Sequence, residues 1–84
     1  MFQIIIDDAI KIHDNLISVA GKCKNKNEFS KGFLTDEHGN VYDAHVPFLK
    51  TLVHDDSRAL LGIIGAIDAN AMIGRTLTSV VGDS

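Results

Sequence analysis

The stretch from Leu60 to Gly74, LLGIIGAIDANAMIG, constrains the fold more than any other part of this 84-residue chain. It begins like a membrane segment, but its uninterrupted apolar run starts at Ala59 and ends at Ile67, before Asp68. A transmembrane helix needs about 20 predominantly apolar residues. We therefore predict that the stretch does not span a bilayer and belongs to a folded domain.

Small residues recur at every fourth position of this stretch, namely at Gly62, Ala66, Asn70 and Gly74. In a helix they form one stripe, and each glycine lowers the stability of a soluble helix by about 1 kcal/mol relative to alanine. Close approach of another helix compensates for that loss. The pattern predicts a long helix from residues 55–57 to about Val81, packed through this stripe against a second copy of the chain. The alternative is a monomer in which the first helix packs there.

Asp68 and Arg75 stand seven residues apart on the same predicted helix. Two helical turns separate them, so they point in nearly the same direction. In a symmetric antiparallel helix pair, Asp68 of one copy would meet Arg75 of the other and fix the register. The alternative is that both side chains face solvent.

The N-terminal segment predicts a second long helix, from Phe2 to Ala20. One four-three spaced stripe and a second stripe beside it leave only a narrow polar face. Gly21 is a suitable C-cap for this helix. Three consecutive isoleucines, residues 4–6, would also suit the start of a strand, but Asp7 and Asp8 break the alternation that a strand requires.

Between the two predicted helices the sequence changes character. The segment 21–32 is lysine-rich and reads as a loop, and the segment 33–46 resembles a hairpin in which DEHGN supplies the turn. Pro47 suits the first position of a short helix. We therefore predict a mainly α fold with a minor β component: two long helices, a short helix and a small hairpin near residues 33–46.

Length and composition indicate one domain, 1–84, that needs reinforcement. A chain of this size buries only about 60–65% of the surface that its unfolded form exposes, and its single cysteine excludes an internal disulfide. A metal or self-association is the remaining means of support. The N-terminus lacks the pattern of a signal peptide, so we expect a cytoplasmic protein. The net charge of −3 disfavours sequence-specific binding to nucleic acid.

Histidine and acidic residues recur in the middle of the chain, at Asp36, His38, Asp43, His45, His54, Asp55 and Asp56. Imidazole and carboxylate groups bind zinc, manganese or iron, and a histidine beside an acid can act as a general base. Their spacing matches no compact metal motif, and turn and capping chemistry explains the acids. We predict no metal and no cofactor, with His38, His45 and His54 as the candidates if the chain is a small metal-dependent hydrolase.

The lysine-rich segment is the other candidate site, formed by Lys22, Lys24, Lys26 and Lys31 with Arg58. Clustered cations bind phosphate groups or an acidic protein surface, although no phosphate-binding motif is present. The alternative is a solvated basic loop. Cys23 lies among these lysines, whose charge favours its thiolate, but no base or oxyanion site accompanies it.

These patterns predict a small non-enzymatic cytoplasmic binding protein. It would be an accessory protein, regulator or inhibitor that acts through protein–protein contacts as a homo-oligomer, because no catalytic constellation or cofactor motif is visible. One alternative is an oligomeric binder, or sponge, of a phosphate-bearing small molecule such as a nucleotide. The metal-dependent hydrolase is the other.

Overall fold

The computed structural model describes residues 1–25, 28–29, 31–45, 57–65 and 67–79. Along these residues run strands β1 (Gln3–His13), β2 (Leu16–Lys24), β3 (Lys31–Thr35), β4 (Val41–His45) and β5 (Arg58–Ile64), then helix α1 (Ala69–Met72) and strand β6 (Thr76–Ser79). The strands pair antiparallel in the order β1-β2-β5-β4-β3-β6 and close into a barrel. Strands make up 64% and helices 8% of the described residues, so the prediction of a mainly α fold is wrong.

The predicted first helix is instead the hairpin of β1 and β2. Ile4 and Ile6 are buried while Ile5 is exposed, which is the period of two that a strand requires. The register shifts between Ile6 and Asp8, so Asp7 is an extra residue in β1. A bulge of this kind lets two consecutive residues face outward, which explains why the two aspartates do not end the strand.

The predicted last helix is also wrong. Ala59, Leu61 and Ile63 are buried in β5 with strand periodicity, and among the described residues of this segment the helical part is limited to the four residues of α1. The chain then returns to the barrel as β6. Over a short segment, the spacing of these apolar residues is compatible with the period of a helix and with that of a strand. Pairing of β5 with β2 and β4 stabilises the strand conformation.

The predicted hairpin near residues 33–46 is confirmed. Strands β3 and β4 pair antiparallel from Lys31 opposite His45 to Thr35 opposite Val41. The five residues of DEHGN make the turn, in which Gly39 adopts a φ of 86°. The short helix predicted from Pro47 falls on residues 46–56, outside the described residues.

The core is a single cluster inside the barrel. Strands β1 and β2 approach so closely at Gly21 that a Cβ atom there would collide with the Ile5 carbonyl oxygen. Helix α1 packs against both strands and contributes Met72 to the core. The buried apolar residues are Phe2, Ile4, Ile6, Ile17, Val19, Leu34, Ala44, Ala59, Leu61, Ile63, Met72 and Leu77.

Within the described ranges, none of the helical structure is long and apolar enough to cross a membrane.

Candidate interaction surface

Two rows of side chains cross the outside of the barrel over five neighbouring strands. Paired residues of adjacent strands share a face, so the register places one row directly beside the other. The first row is Ile10, Ser18, Gly62, His45 and Lys31. The second row is His13, Leu16, Ile64, Asp43 and Phe33.

Large apolar side chains on these rows are exposed to solvent. The exposed fractions are 58% for Ile10, 50% for Ile64, 57% for Phe33 and 59% for Val41. Val41 lies two residues before Asp43, on the same face of β4. Half-buried Leu16 is the neighbour of Ile64 in the second row. We call these five residues the outer apolar face. Contiguous exposed apolar groups mark protein-binding surfaces more often than isolated ones do.

The imidazole of His45 lies over Gly62 on this face. A Cβ atom at Gly62 would stand 2.6 Å from Cε1 and 2.9 Å from Nε2 of the ring. A glycine at position 62 is therefore explained by packing within one chain, because it leaves room for the His45 ring. The sequence predicts that Gly62 leaves space for a second helix. In the structure Gly62 lies in strand β5, and the space beside it is filled by His45.

A buried carboxylate fixes the turn between β3 and β4. The Asp36 side chain is fully buried. Its Oδ1 accepts hydrogen bonds from the backbone N–H groups of His38 and Asn40, both at 2.9 Å. Its Oδ2 accepts from Nδ2 of Asn40 at 3.0 Å, from the Tyr42 hydroxyl at 2.8 Å and from Nη1 of Arg75 at 3.1 Å. Five donors therefore hold one acid, and with it the hairpin that carries Phe33 and Val41.

This network shifts two pKa values in opposite directions. Burial by itself raises the pKa of Asp36, but the hydrogen bonds from Asn40, Tyr42 and the backbone outweigh it and hold that pKa well below its usual range. Burial and the bond to the Asp36 carboxylate raise the pKa of Tyr42. At neutral pH the carboxylate is therefore ionised and the phenol is neutral.

Arg75 bonds to this network and to the helix that precedes it. Besides Asp36, its Nε donates to the Ala71 carbonyl oxygen at 3.0 Å, and Glu37 lies 3.9 Å from its Nη1. Asp68 is the N-cap of α1 and accepts from the backbone N–H of Asn70 at 3.0 Å. The two residues predicted to meet across two copies thus have partners within one chain.

The remaining residues of the predicted oligomer stripe do not share one face. Gly62 is buried in β5, Asn70 is exposed in α1, and Gly74 lies in the following turn with a φ of 93°. Ala66 is outside the described residues. Assembly of the chain stays a prediction, but a helical stripe is not its basis.

The predicted cationic cluster is only partly assembled. Lys22 and Arg58 are cross-strand neighbours, and Arg58 donates to both carboxylate oxygens of Asp7 at 2.7 and 2.9 Å. The hydrogen bond from Arg58 lowers the pKa of Asp7, and the Lys22 charge adds to this effect. Lys22 and Lys24 line a cavity of about 220 Å³ together with Gln3, Ile5, Cys23 and Ser57.

Lys31 lies away from that cluster. The first row connects Lys31 to Gly62 of β5 and Ser18 of β2. Gly62 is four residues from Arg58, and Ser18 is four residues from Lys22, which is a distance of about 13 Å along a strand. Lys26 is outside the described residues. The prediction of an anion site stays untested, and Asp7 already occupies Arg58.

The histidines proposed as metal ligands are also separated. His38 lies in the exposed turn after Asp36, His45 lies over Gly62, and His54 is outside the described residues. Across the described part of the chain, no three His, Cys, Asp or Glu side chains are close enough together to hold a metal ion.

The outer apolar face was not predicted from the sequence. Phe33 and Leu34 are adjacent in a strand, so one of them must face outward, and this signal was available. The sequence gives no signal that Phe33, Ile64 and Ile10 lie on the same outer face, because this depends on the register of five strands. The chain matches no protein-family model, no curated protein sequence and no solved structure.

Proposed function

We propose that the chain is a small non-enzymatic binding protein that acts through protein–protein contacts at the outer apolar face, with a second copy of the chain as one partner. The exposure of Ile10, Phe33, Val41 and Ile64 on one outer side of the barrel, with Asp43 between Ile64 and Phe33, carries the proposal. A monomeric protein rarely leaves such groups together in water, and interface centres are enriched in aromatic and large aliphatic side chains.

The charged groups support a binding role over catalysis. Among the described residues, the two carboxylates with lowered pKa values, Asp7 and Asp36, both accept hydrogen bonds from donors of the protein itself. A catalytic acid or base needs a pKa near the working pH and access to substrate. Here lowered pKa values belong to groups that hold strands and turns together.

Analytical ultracentrifugation over a range of protein concentrations tests the proposal. We expect concentration-dependent association, weakened about tenfold or more by Phe33→Ser or Ile64→Ser, because loss of a central interface anchor removes at least about 1.4 kcal/mol. Ile73→Ser is the matched control. Ile73 is 48% exposed, close to the 50% of Ile64, but lies after α1 and outside the two rows.

Two results would contradict the proposal. A monomer at every concentration excludes a second copy as the partner. Association that responds equally to Ile64→Ser and Ile73→Ser shows that general surface hydrophobicity, and not the outer apolar face, causes it. Circular dichroism of each variant separates loss of association from loss of the fold.

A further inference from the structure

Strand β1 extends beyond the strand that pairs with it on its other side, β6. It pairs with β2 over its whole length, but with β6 only from Gln3 to Ile5. The last bonds on that side join the Ile6 N–H to the Arg75 carbonyl oxygen at 2.9 Å and the Gly74 N–H to the Ile6 carbonyl oxygen at 2.7 Å. Beyond them, no strand within the described ranges pairs with this side of residues 8–13, which we call the β1 edge.

The backbone of the β1 edge presents unpaired groups on a regular spacing. His13 and Leu16 close the two-residue turn of the hairpin, and such a closing pair is hydrogen-bonded across the strands. Bonded and non-bonded positions alternate from there along β2, whose pairing with β5 is regular. Lys11 and Ala9 are opposite the non-bonded positions Ile17 and Val19, so their N–H and C=O groups point away from β2.

A cleft of about 560 Å³ runs along the same side. Ala9, Lys11 and Asp14 line it from the hairpin, and residues 67–70 line it from the segment that leads into α1. This volume lies within the range of about 300–1,000 Å³ found for ligand clefts. It provides room for the side chains of a segment that pairs with Ala9 and Lys11.

The charge around the edge and cleft is mostly negative. Asp8, Asp14 and Asp68 are exposed, and the Asp14 side chain is 98% accessible. Lys11 offsets part of this charge, with its Nζ 3.6 Å from Asp14. Three carboxylates against one ammonium favour a cationic ligand.

We propose that the β1 edge binds an extended basic segment of a partner protein as an added β-strand. Backbone hydrogen bonds to Ala9 and Lys11 supply the pairing, as in other cases where a peptide extends a sheet. An apolar side chain of the segment packs beside Ile10, and its basic side chains meet the carboxylates of Asp14 and Asp68. The site shares Ile10 with the proposed outer apolar face, but it differs from that face because its pairing uses main-chain groups.

The edge also carries features that select among strands. A charged side chain and a bulge protect an exposed edge from unselective pairing, and here Lys11 and the irregularity between Lys11 and His13 fill those two roles. A segment without complementary charge gains only the backbone bonds. Basic side chains add the electrostatic contribution.

A peptide that carries fluorescein at its N-terminus, fluorescein-Thr-Val-Arg-Val-Arg-Val-Thr-amide, serves as the probe in fluorescence anisotropy titrations against the full chain. We expect saturable binding that weakens with salt, and no saturation with the same peptide carrying glutamate in place of arginine. Hydrogen exchange of the Ala9 and Lys11 amides should slow on binding.

Two substitutions at one position separate backbone from side chain. Lys11→Pro removes the outward N–H at a place where an edge strand tolerates proline, and should weaken binding about tenfold, the equivalent of a lost hydrogen bond plus a steric block. Lys11→Ala keeps the N–H and removes the opposing charge, so binding should be equal or tighter. If Lys11→Pro does not fold, the arginine peptide with N-methylated valines replaces it and should not bind to the unaltered chain.

Other outcomes overturn the proposal. These are equal binding by the Lys11→Pro variant, equal binding of the glutamate peptide, and no saturation by the arginine peptide at any concentration. Self-association that is abolished by Lys11→Pro and unaffected by Phe33→Ser would assign the β1 edge to a second copy, and would also refute a basic partner segment as its occupant.

Discussion

The two hairpins of the barrel end in opposite ways. The turn between β3 and β4 is held by a buried carboxylate that accepts from five donors, one of them on Arg75. The turn between β1 and β2 has a single backbone bond to the chain after β5, from the Gly65 N–H to the Asn15 carbonyl oxygen at 2.7 Å, and an exposed aspartate 3.6 Å from one lysine. The same type of element is thus held by many bonds at one place and by few at the other. The anchored hairpin can present Phe33 and Val41 in a constant position, while the open one keeps an unpaired edge.

Removal of the anchor should produce the largest loss of stability. Asp36→Ala leaves the Tyr42 hydroxyl, the Asn40 amide and the Arg75 guanidinium without their shared acceptor, and unsatisfied donors of this kind are strongly destabilising. We expect a large fall in Tm by circular dichroism. Asp14→Ala in the open turn is the control and should leave Tm nearly unchanged. Similar falls in both variants would show that the two turns do not differ as described.

Acid should weaken the anchored turn next. The pKa of Asp36 is lowered from an ordinary value of 3.8, so its contribution to stability is complete above that value and is lost as the pH falls through the lower folded pKa. The pKa of Asp7 is also lowered, with the same sign. We expect Tm to fall from about pH 4 toward pH 2, with a shallower fall in Asp36→Asn. An unchanged slope in that variant would exclude Asp36 as its main source.

Strand β5, which lies between the two hairpins, allows a test with a smaller expected loss of stability. Gly62→Ala should lower the free energy of unfolding by about 1–3 kcal/mol, the usual effect of overpacking, because the new methyl group meets the His45 ring. In a His45→Ala background the same change should be close to neutral. Urea denaturation of the four proteins of this double-mutant cycle measures the coupling. Additive effects would mean that His45 does not determine the residue at position 62.

The smallest effect should come from the open hairpin. Ile10→Ala removes a side chain that is 58% exposed, and should change the free energy of unfolding by no more than about 0.5 kcal/mol. The same urea denaturation measures it. A loss as large as that of a buried isoleucine would show that a neighbour covers Ile10 in solution.

The sequence predicted what depended on neighbours along the chain. In DEHGN, the side chain of Asp36 bonds to backbone groups two and four residues ahead, and turn chemistry of this range is visible in a short window. The hairpin of β3 and β4 was predicted for that reason. The candidate site was not predicted, because Phe33 and Ile64 are brought onto one face only by β4, whose Asp43 lies between them.

The other strands were mistaken for helices for a specific reason. The apolar residues Ile5, Ala9, Ile12 and Leu16 are spaced as on a helix, yet Ile5 and Ile12 are about half exposed in the barrel. The bulge at Asp7 changes the phase of alternation within β1, and so hides the period of two. Small residues at every fourth position, with glycine at the two ends, favour a helix stripe, although Gly62 makes room for His45 and Gly74 lies in a turn.

The sequence by itself determined the apolar content of the chain, the turn at residues 36–40 and the hairpin around it, because each of these depends on groups a few residues apart. The tertiary structure decided that the isoleucine-rich segments are strands, that Arg75 reaches Asp36 across 39 positions, and that the outer apolar face and the β1 edge exist. The physical reason is that a strand is stabilised by its cross-strand neighbours, and in this barrel those neighbours come from distant parts of the chain.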